Sequence, residues 1–261
     1  MKLSCYILVK NHANMIRYPI ESVYPHVDEL IIIDSGSTDG TLDIAREYTD
    51  KIYYNKLEDF SKQRNFALSK CTGDWTFYLD TDEVVGENFP NLRKYFNKKY
   101  NTLLTPRYYL VNLNPPSFLC HSKDYYFDWQ QRTVRKTENA HYVNPIHHQL
   151  KGAHPRLKVT DVHIFHLDFL LHTYEQRMKK VEFYESVDPG SGGGKYYLFE
   201  DCPYKTAPVM EQLNPKILEM LRKDTQLLSY PLNTVEKDVE KVKRRYLSRK
   251  LINGLRGYLN I

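Results

Sequence analysis

An α/β fold on a mostly parallel central sheet, flanked by helices, is what this sequence predicts, and three observations predict it. Short apolar runs alternate with segments of helical spacing over the first hundred residues. The runs are unbroken rather than alternating, as in strands covered on both faces. Acidic residues stand where the runs end. The chain of 261 residues lies near the upper limit for a single core, and 41% hydrophobic against 26% charged residues is a globular mix.

The elements follow in order. Leu3–Val9 is the first strand; Lys10-Asn11-His12 follows it with no small-residue cleavage site, so Met1–Val9 reads as a strand rather than a signal peptide. Met15–Val23 has helical spacing. Glu29–Ile33 is the second strand, ended by Asp34-Ser35-Gly36-Ser37-Thr38-Asp39-Gly40, a cluster able to cap the helix marked by Leu42, Ile44, Ala45 and Tyr48. Lys51–Tyr54 is a third strand, Ser61–Ser69 a helix, and Trp75–Leu79 a fourth strand ending on Asp80. Open parallel sheets bind ligands at the carboxyl ends of their strands, where Asp34 and Asp80 both stand.

From Asn101 to Phe169 the strands become shorter and aromatic-rich, with Tyr108–Leu113 and Val159–Phe165 the clearest. His172–Glu185 resumes helical spacing. Residues 189–194 are a glycine-rich break, either a linker or a lid. Asn214-Pro215 opens a helix over Lys216–Leu228. Val235–Leu259 is amphipathic, giving the fold a C-terminal helical extension. From Glu236 onward eight basic residues face three acidic ones, which accounts for the whole net charge of +5. That segment either docks its Val/Leu stripe on the body, the preferred reading, or makes peripheral contact with an anionic membrane surface.

The neutral remainder argues against a nucleic-acid partner. Four scattered cysteines with no CxxC pair exclude a zinc ribbon and fit a reducing cytoplasmic setting. The longest aliphatic run, Leu30–Ile33, is far short of the roughly 20 residues of a membrane span.

Asp80-Thr81-Asp82 is an Asp-x-Asp element at the end of a strand. Chance produces about one such triplet in a chain of this composition, and acidic strand ends are often only turn residues. At the mouth of a parallel sheet, however, two carboxylates can hold a hard divalent cation that bridges a diphosphate.

The company of that triplet is more specific. The stretch Asp28–Thr41, with its Asp34-Ser35-Gly36-Ser37-Thr38-Asp39-Gly40-Thr41 core, resembles the signature of GT-A glycosyltransferases of family 2. So do Lys10-Asn11, Gln63-Arg64-Asn65-Phe66-Ala67-Leu68, Gly73-Asp74-Trp75 and Leu79–Glu83, all in order within residues 1–85. More weakly, Tyr126–Arg135, Asn144–Leu150 and His163–His166 resemble segments of sugar transferases of the lipopolysaccharide-core type. One departure is His148, where those relatives end a short motif in Glu.

The resemblance implies a GT-A fold, a donor-binding half over 1–100, an acceptor-binding half over 101–188, and an extension over 189–261. It implies that Asp34 and Arg64 contact the nucleotide, as does Lys10, that Asp80 bonds ribose or reaches the metal, and that Asp82 coordinates Mn²⁺ or Mg²⁺. His166 is the candidate third metal ligand; the plainer alternative is a strand histidine bound to a backbone carbonyl. The implied reaction is inverting transfer of a hexose from a nucleotide-diphosphate sugar, UDP-sugar by default, to a glycan, lipid-linked or protein acceptor. Such a displacement needs a base, and Asp128 is the candidate, with His148 (or His147) the alternative; a surface acid near Arg132 or Arg135 is the plainer reading of Asp128. Tyr125, Tyr126, Trp129 and Tyr142 could stack on acceptor sugars or simply fill the core. Two rivals stand beside this: a non-catalytic sugar- or protein-binding relative, and a sugar nucleotidylyltransferase, whose glycine-rich loop after the first strand is missing here.

Overall fold

The computed structural model describes residues 1–97, 99–120, 128–144, 149–187, 197–198, 205–209, 213–224 and 226–230. The chain runs β1 (Leu3–Val9), α1 (Arg17–Val23), β2 (Glu29–Asp34), α2 (Thr41–Arg46), β3 (Ile52–Tyr54), α3 (Phe60–Lys70), β4 (Trp75–Tyr78) and β5 (Glu83–Val85). It continues through β6 (Thr102–Leu113), β7 (Pro116–Cys120), β8 (Asp128–Arg135), β9 (His141–Val143), β10 (Gln149–Lys151), β11 (Arg156–Lys158) and β12 (Ile164–His166). Then follow α4 (Asp168–Leu171), α5 (Tyr174–Val187), β13 (Lys205–Pro208) and α6 (Pro215–Lys223).

The unbroken apolar runs have the cause their pattern implied. Every residue of β2 and β4 is buried, because both faces of the sheet are covered. Successive β2 side chains point to opposite faces. Ile32 joins Ile7, Ile20, Trp75 and Phe89 on one side, while Ile31 and Ile33 join Tyr6, Ala67 and Val134 on the other, under α3.

The main path of the sheet is β13-β7-β6-β8-β4-β1-β2-β3. β3, β2, β1 and β4 are mutually parallel. β8 enters antiparallel between β4 and β6, so β6 runs in the same direction as β4. β11 and β12 pair in parallel with β6, and β12 also pairs antiparallel with β5. The direction is therefore mostly common, with β5, β7 and β8 reversed.

Local chemistry sets the element ends. Asp59 caps α3 by accepting from Lys62 N–H at 2.8 Å, so that the helix starts at Phe60, one residue earlier than expected. Thr173 and Gln176 exchange hydrogen bonds at the start of α5, a reciprocal capping box that moves its start from His172 to Tyr174.

Two expectations are corrected. Val159–Phe165 is not one strand: β11 ends at Lys158 and β12 begins at Ile164. Between them the chain leaves the sheet to bury Val159 and Val162 in the first core and to accept the Tyr95 hydroxyl on Asp161 at 2.6 Å. The helix expected over Lys216–Leu228 stops at Lys223, because Asp224 turns to accept the Tyr18 hydroxyl and Leu228 N–H donates to Leu170 O at 2.8 Å. Residues 189–194 and 235–259 lie outside the described residues, as do His147, His148, Tyr125 and Tyr126. No described helix is long and apolar enough to cross a membrane.

Candidate active site

A cleft of about 1490 Å³ opens where β1, β2 and β4 end, and Val9, Ser35 and Asp80 mark those ends on its wall. The loops after β1 and β2, which give Lys10, His12 and Ser35 to its wall, are stapled together. Asn11, at a φ of 55°, donates its N–H to Ser37 Oγ at 2.9 Å and accepts Thr38 N–H at 2.8 Å. His12 N–H donates to Thr41 Oγ1 at 2.8 Å, and Ala13 N–H to Asp39 at 3.1 Å. The polar run after β2 thus serves the loop after β1. Asp34 is buried, and its carboxylate accepts the Gly36 and Ser37 N–H groups at 3.0 Å, closing the turn at Gly36, where φ is +95°.

One wall is a ladder of alternating charge. Arg64 donates to Asp80 Oδ1 at 3.1 Å, and Arg132 binds Asp80 Oδ2 at 2.9 Å as well as Glu83. Arg107 binds Glu83 at 2.8 Å and Asp128 at 2.6 Å. Both Arg64 and Arg132 lie over the Tyr78 ring, 3.7 and 4.2 Å from its centre. Burial alone would raise the pKa of Asp80, but Arg132 and Arg64 hold it far below the usual carboxylate range. Burial likewise opposes ionisation of Asp128, and Arg107, Tyr109 and Gln130 overcome it.

Asp82 points to a second group. β12 lies between β5 and β6, pairing His166 with Glu83 and Tyr109. That register sets His166 Nε2 3.5 Å from Asp82 Oδ2. Directly after β12, Asp168 is fully buried at the start of α4, and His172 Nδ1 lies 2.9 Å from its Oδ1. Lys180 of α5 reaches the same Asp168 oxygen at 2.9 Å and Asp82 at 3.7 Å. Asp82, Asp168 and His172 bring their ligand atoms within 4.8 Å of one another, a spacing open to a metal ion. Asp82 stays below its ordinary pKa, since His166 and Lys180 outweigh the effect of its burial. Burial lowers His166 and His12 against the pull of Asp82, so both imidazoles favour the neutral form. His12 Nδ1 is hydrogen-bonded to Thr81 Oγ1 at 2.6 Å.

Of the residues singled out in the sequence, Lys10, Arg64, Asp80, Asp82, Asp128 and His166 all line this cleft. Asp34 lies beneath its edge, with its carboxylate given to its own turn. Asp80 is held between two guanidinium groups, and the geometry groups Asp82 with Asp168 and His172 instead. Sequence reasoning missed Asp168, His172, Arg107 and His12 as site residues. A signal for the first two existed: Asp168 and His172 are four apart, just past a strand histidine, which sets both on one side of a helical turn.

Comparison with known proteins identifies the family. A profile described as glycosyl transferase family 2 matches residues 4–161. An uncharacterized glycosyltransferase of Rickettsia felis is 35% identical over 100 residues, 38% of this chain and 35% of the relative. LpsC of Rhizobium meliloti, named a lipopolysaccharide core biosynthesis glycosyltransferase, is 34% identical over 88 residues, 32% of each chain. The match spans about a third of the length of such relatives. Among solved structures, glucosyl-3-phosphoglycerate synthase of Mycobacterium tuberculosis with Mg²⁺ and UDP is similar at 21% identity and a TM-score of 0.34, over 41% of this chain and 43% of that one. The profile runs from β1 through the parallel strands at whose ends the cleft opens, past β8 and β11, and stops before β12: the chain belongs to glycosyl transferase family 2, with the GT-A type of fold.

Proposed function

We propose that the protein is a metal-dependent, inverting hexosyltransferase. It moves a hexose from a nucleotide-diphosphate sugar, a UDP-sugar by default, to a hydroxyl of a glycan, lipid-linked or protein acceptor. The observation that carries this reading is that one cleft at the strand ends is lined both by the Arg64–Tyr78 platform and by Asp82, which groups with Asp168 and His172. Lys10, Arg64 and Asp80 take the nucleotide side, and Asp34 shapes the turn beneath it. Asp82, Asp168 and His172 hold Mn²⁺ or Mg²⁺, with His166 alongside.

The donor set suits such an ion: two hard carboxylates and an imidazole. Asp168 Oδ2 is buried and finds no hydrogen-bond donor among the described residues, an orphan that a cation would satisfy. When bound, the ion offsets negative charge on the departing diphosphate. The acceptor oxygen bonds to the anomeric carbon as the bond to the diphosphate oxygen breaks, and the leaving group takes the electron pair. The acceptor proton passes to Asp128, which faces the cleft with Oδ2 held by Arg107 and Tyr109. A cytoplasmic setting fits the two buried free thiols, Cys5 and Cys71.

Thermal stability with UDP, GDP, CDP and dTDP, each with and without Mn²⁺, tests the reading. One nucleotide is expected to raise the melting temperature only with metal, by about 2.7 kcal/mol of added stability at a hundred times Kd. Asp82→Ala is expected to abolish that gain. If no nucleotide acts on the wild type, the donor site is absent and the sugar- or protein-binding alternative takes its place.

A further inference from the structure

The candidate metal group already has a cation in it. Lys180 Nζ stands 2.9 Å from Asp168 Oδ1 and 3.7 Å from Asp82 Oδ2, the two carboxylates that a divalent ion would bridge. Its own side chain is 27% exposed, on the cleft side, while Asp168 is fully buried. Nothing about this position is loose. The Thr173–Gln176 capping box starts α5, and Arg177 of the same helix is buried, donating to Tyr197 O and lying over the Phe169 ring. Tyr197 also places its ring 4.5 Å from Lys180 Nζ.

The charge balance of the pocket is incomplete with the lysine alone. One ammonium faces two carboxylates, and Asp168 Oδ2 is left without a donor among the described residues. His166 is 3% exposed, and its Nδ1 is unpartnered among them as well, while its Nε2 faces Asp82. A divalent ion would satisfy both carboxylates, but it cannot share the space with Lys180, because like charges a few ångströms apart in a partly desolvated pocket repel strongly. A long, flexible lysine stem on the cleft wall can move its head out, whereas the fully buried Asp168 cannot follow.

We propose that Lys180 is the resident counter-ion of the metal group, holding Asp82 and Asp168 together until a divalent cation displaces its ammonium into the cleft. This rests on reading Asp82, Asp168 and His172 as the metal site of the transfer reaction. The consequence is conditional loading: in the resting enzyme the lysine opposes metal entry, and an anionic ligand in the cleft, such as a diphosphate, gives the displaced ammonium a partner. Metal and donor are then taken up together rather than in sequence.

The test is Mn²⁺ binding without any nucleotide, followed by the loss of the free-ion electron paramagnetic resonance signal, in the wild type, Lys180→Met and Lys180→Arg. Lys180→Met is expected to bind Mn²⁺ about tenfold or more tightly than the wild type, and Lys180→Arg no more tightly than the wild type. Removing one partner of a buried pair destabilises, so Lys180→Met is also expected to melt lower in EDTA and to be restored by Mn²⁺. Equal Mn²⁺ affinity in the wild type and Lys180→Met overturns the proposal. So does a Lys180→Met chain that Mn²⁺ leaves unfolded or fails to stabilise, since the ion then does not replace the amine. Measurable but equal Mn²⁺ binding overturns this proposal alone, whereas no Mn²⁺ binding in either chain overturns the metal-site reading beneath it, so the two failures are distinguishable.

Discussion

Asp128 shows how one side chain's neighbours decide what it can do. Two nitrogens of Arg107 and the Tyr109 hydroxyl converge on its Oδ2, and Gln130 donates to its Oδ1 at 2.7 Å. These bonds outweigh the effect of burial and hold the carboxyl below its ordinary 3.8. A depressed pKa leaves the base ionised above it, and its function is lost only as the pH falls through the lowered value. The acidic limb of kcat/KM for donor turnover is therefore expected below pH 4. A limb nearer pH 6 would shift the role to an imidazole, of which His12, His154 and His166 line the cleft. Asp128→Asn is expected to reduce turnover by about 10²- to 10⁴-fold. Its fold should persist, because Glu83 still binds both Arg107 and Arg132. Unchanged turnover in Asp128→Asn would remove it from the reaction.

At the scale of elements, part of the motif that identifies the family is architecture rather than chemistry. Gly73 lies where β4 begins beside β1, and a Cβ there would sit 2.7 Å from Ser4 Oγ, 2.8 Å from Ser4 N and 2.9 Å from Lys2 O. Two of those atoms are backbone held in the sheet, so they cannot yield cheaply. Gly73→Ala is expected to cost about 1–3 kcal/mol, read as a lower urea midpoint, and an unchanged midpoint would mean that β1 moves freely. The parallel half was legible in the sequence for a related reason: its strands are unbroken apolar runs whose burial needs no knowledge of distant partners. The Asp34, Asp80 and Asp82 positions followed from where those runs end. The second half was less legible, because β11 and β12 are three residues each and owe their place to β6, some fifty residues earlier. Asp168, His172 and Lys180 become neighbours of Asp82 only through that long-range pairing, and Arg107 meets Asp128 only through the register of β6 with β8. The C-terminal stop of α6 is a similar case, since Tyr18, which binds Asp224, lies two hundred residues away in sequence.

For the whole molecule, the path β7-β6-β8-β4-β1-β2-β3 joins residues on both sides of position 100 into one hydrogen-bonded sheet. Helix α6 ties in at the far side. Ile217 and Leu221 are fully buried against a cluster that includes Leu110 of β6 and Phe165 of β12, and Lys216 binds Glu21 of α1. A defect at α6 should thus be felt in the parallel half, although no α6 residue belongs to the core around Trp75. Trp75 is fully buried and stacked on Phe96 with ring centres 4.8 Å apart, so its fluorescence reports that core directly. In a Trp129→Phe background it is the only tryptophan left. Leu221→Ala removes a buried leucine and is expected to destabilise by about 2–5 kcal/mol. If the sheet unfolds as one unit, Trp75 fluorescence and far-ultraviolet circular dichroism shift to the same lower midpoint. A fluorescence midpoint that stays put while the dichroism moves would instead mean that the donor half folds on its own and that the cleft is assembled from two separately stable parts.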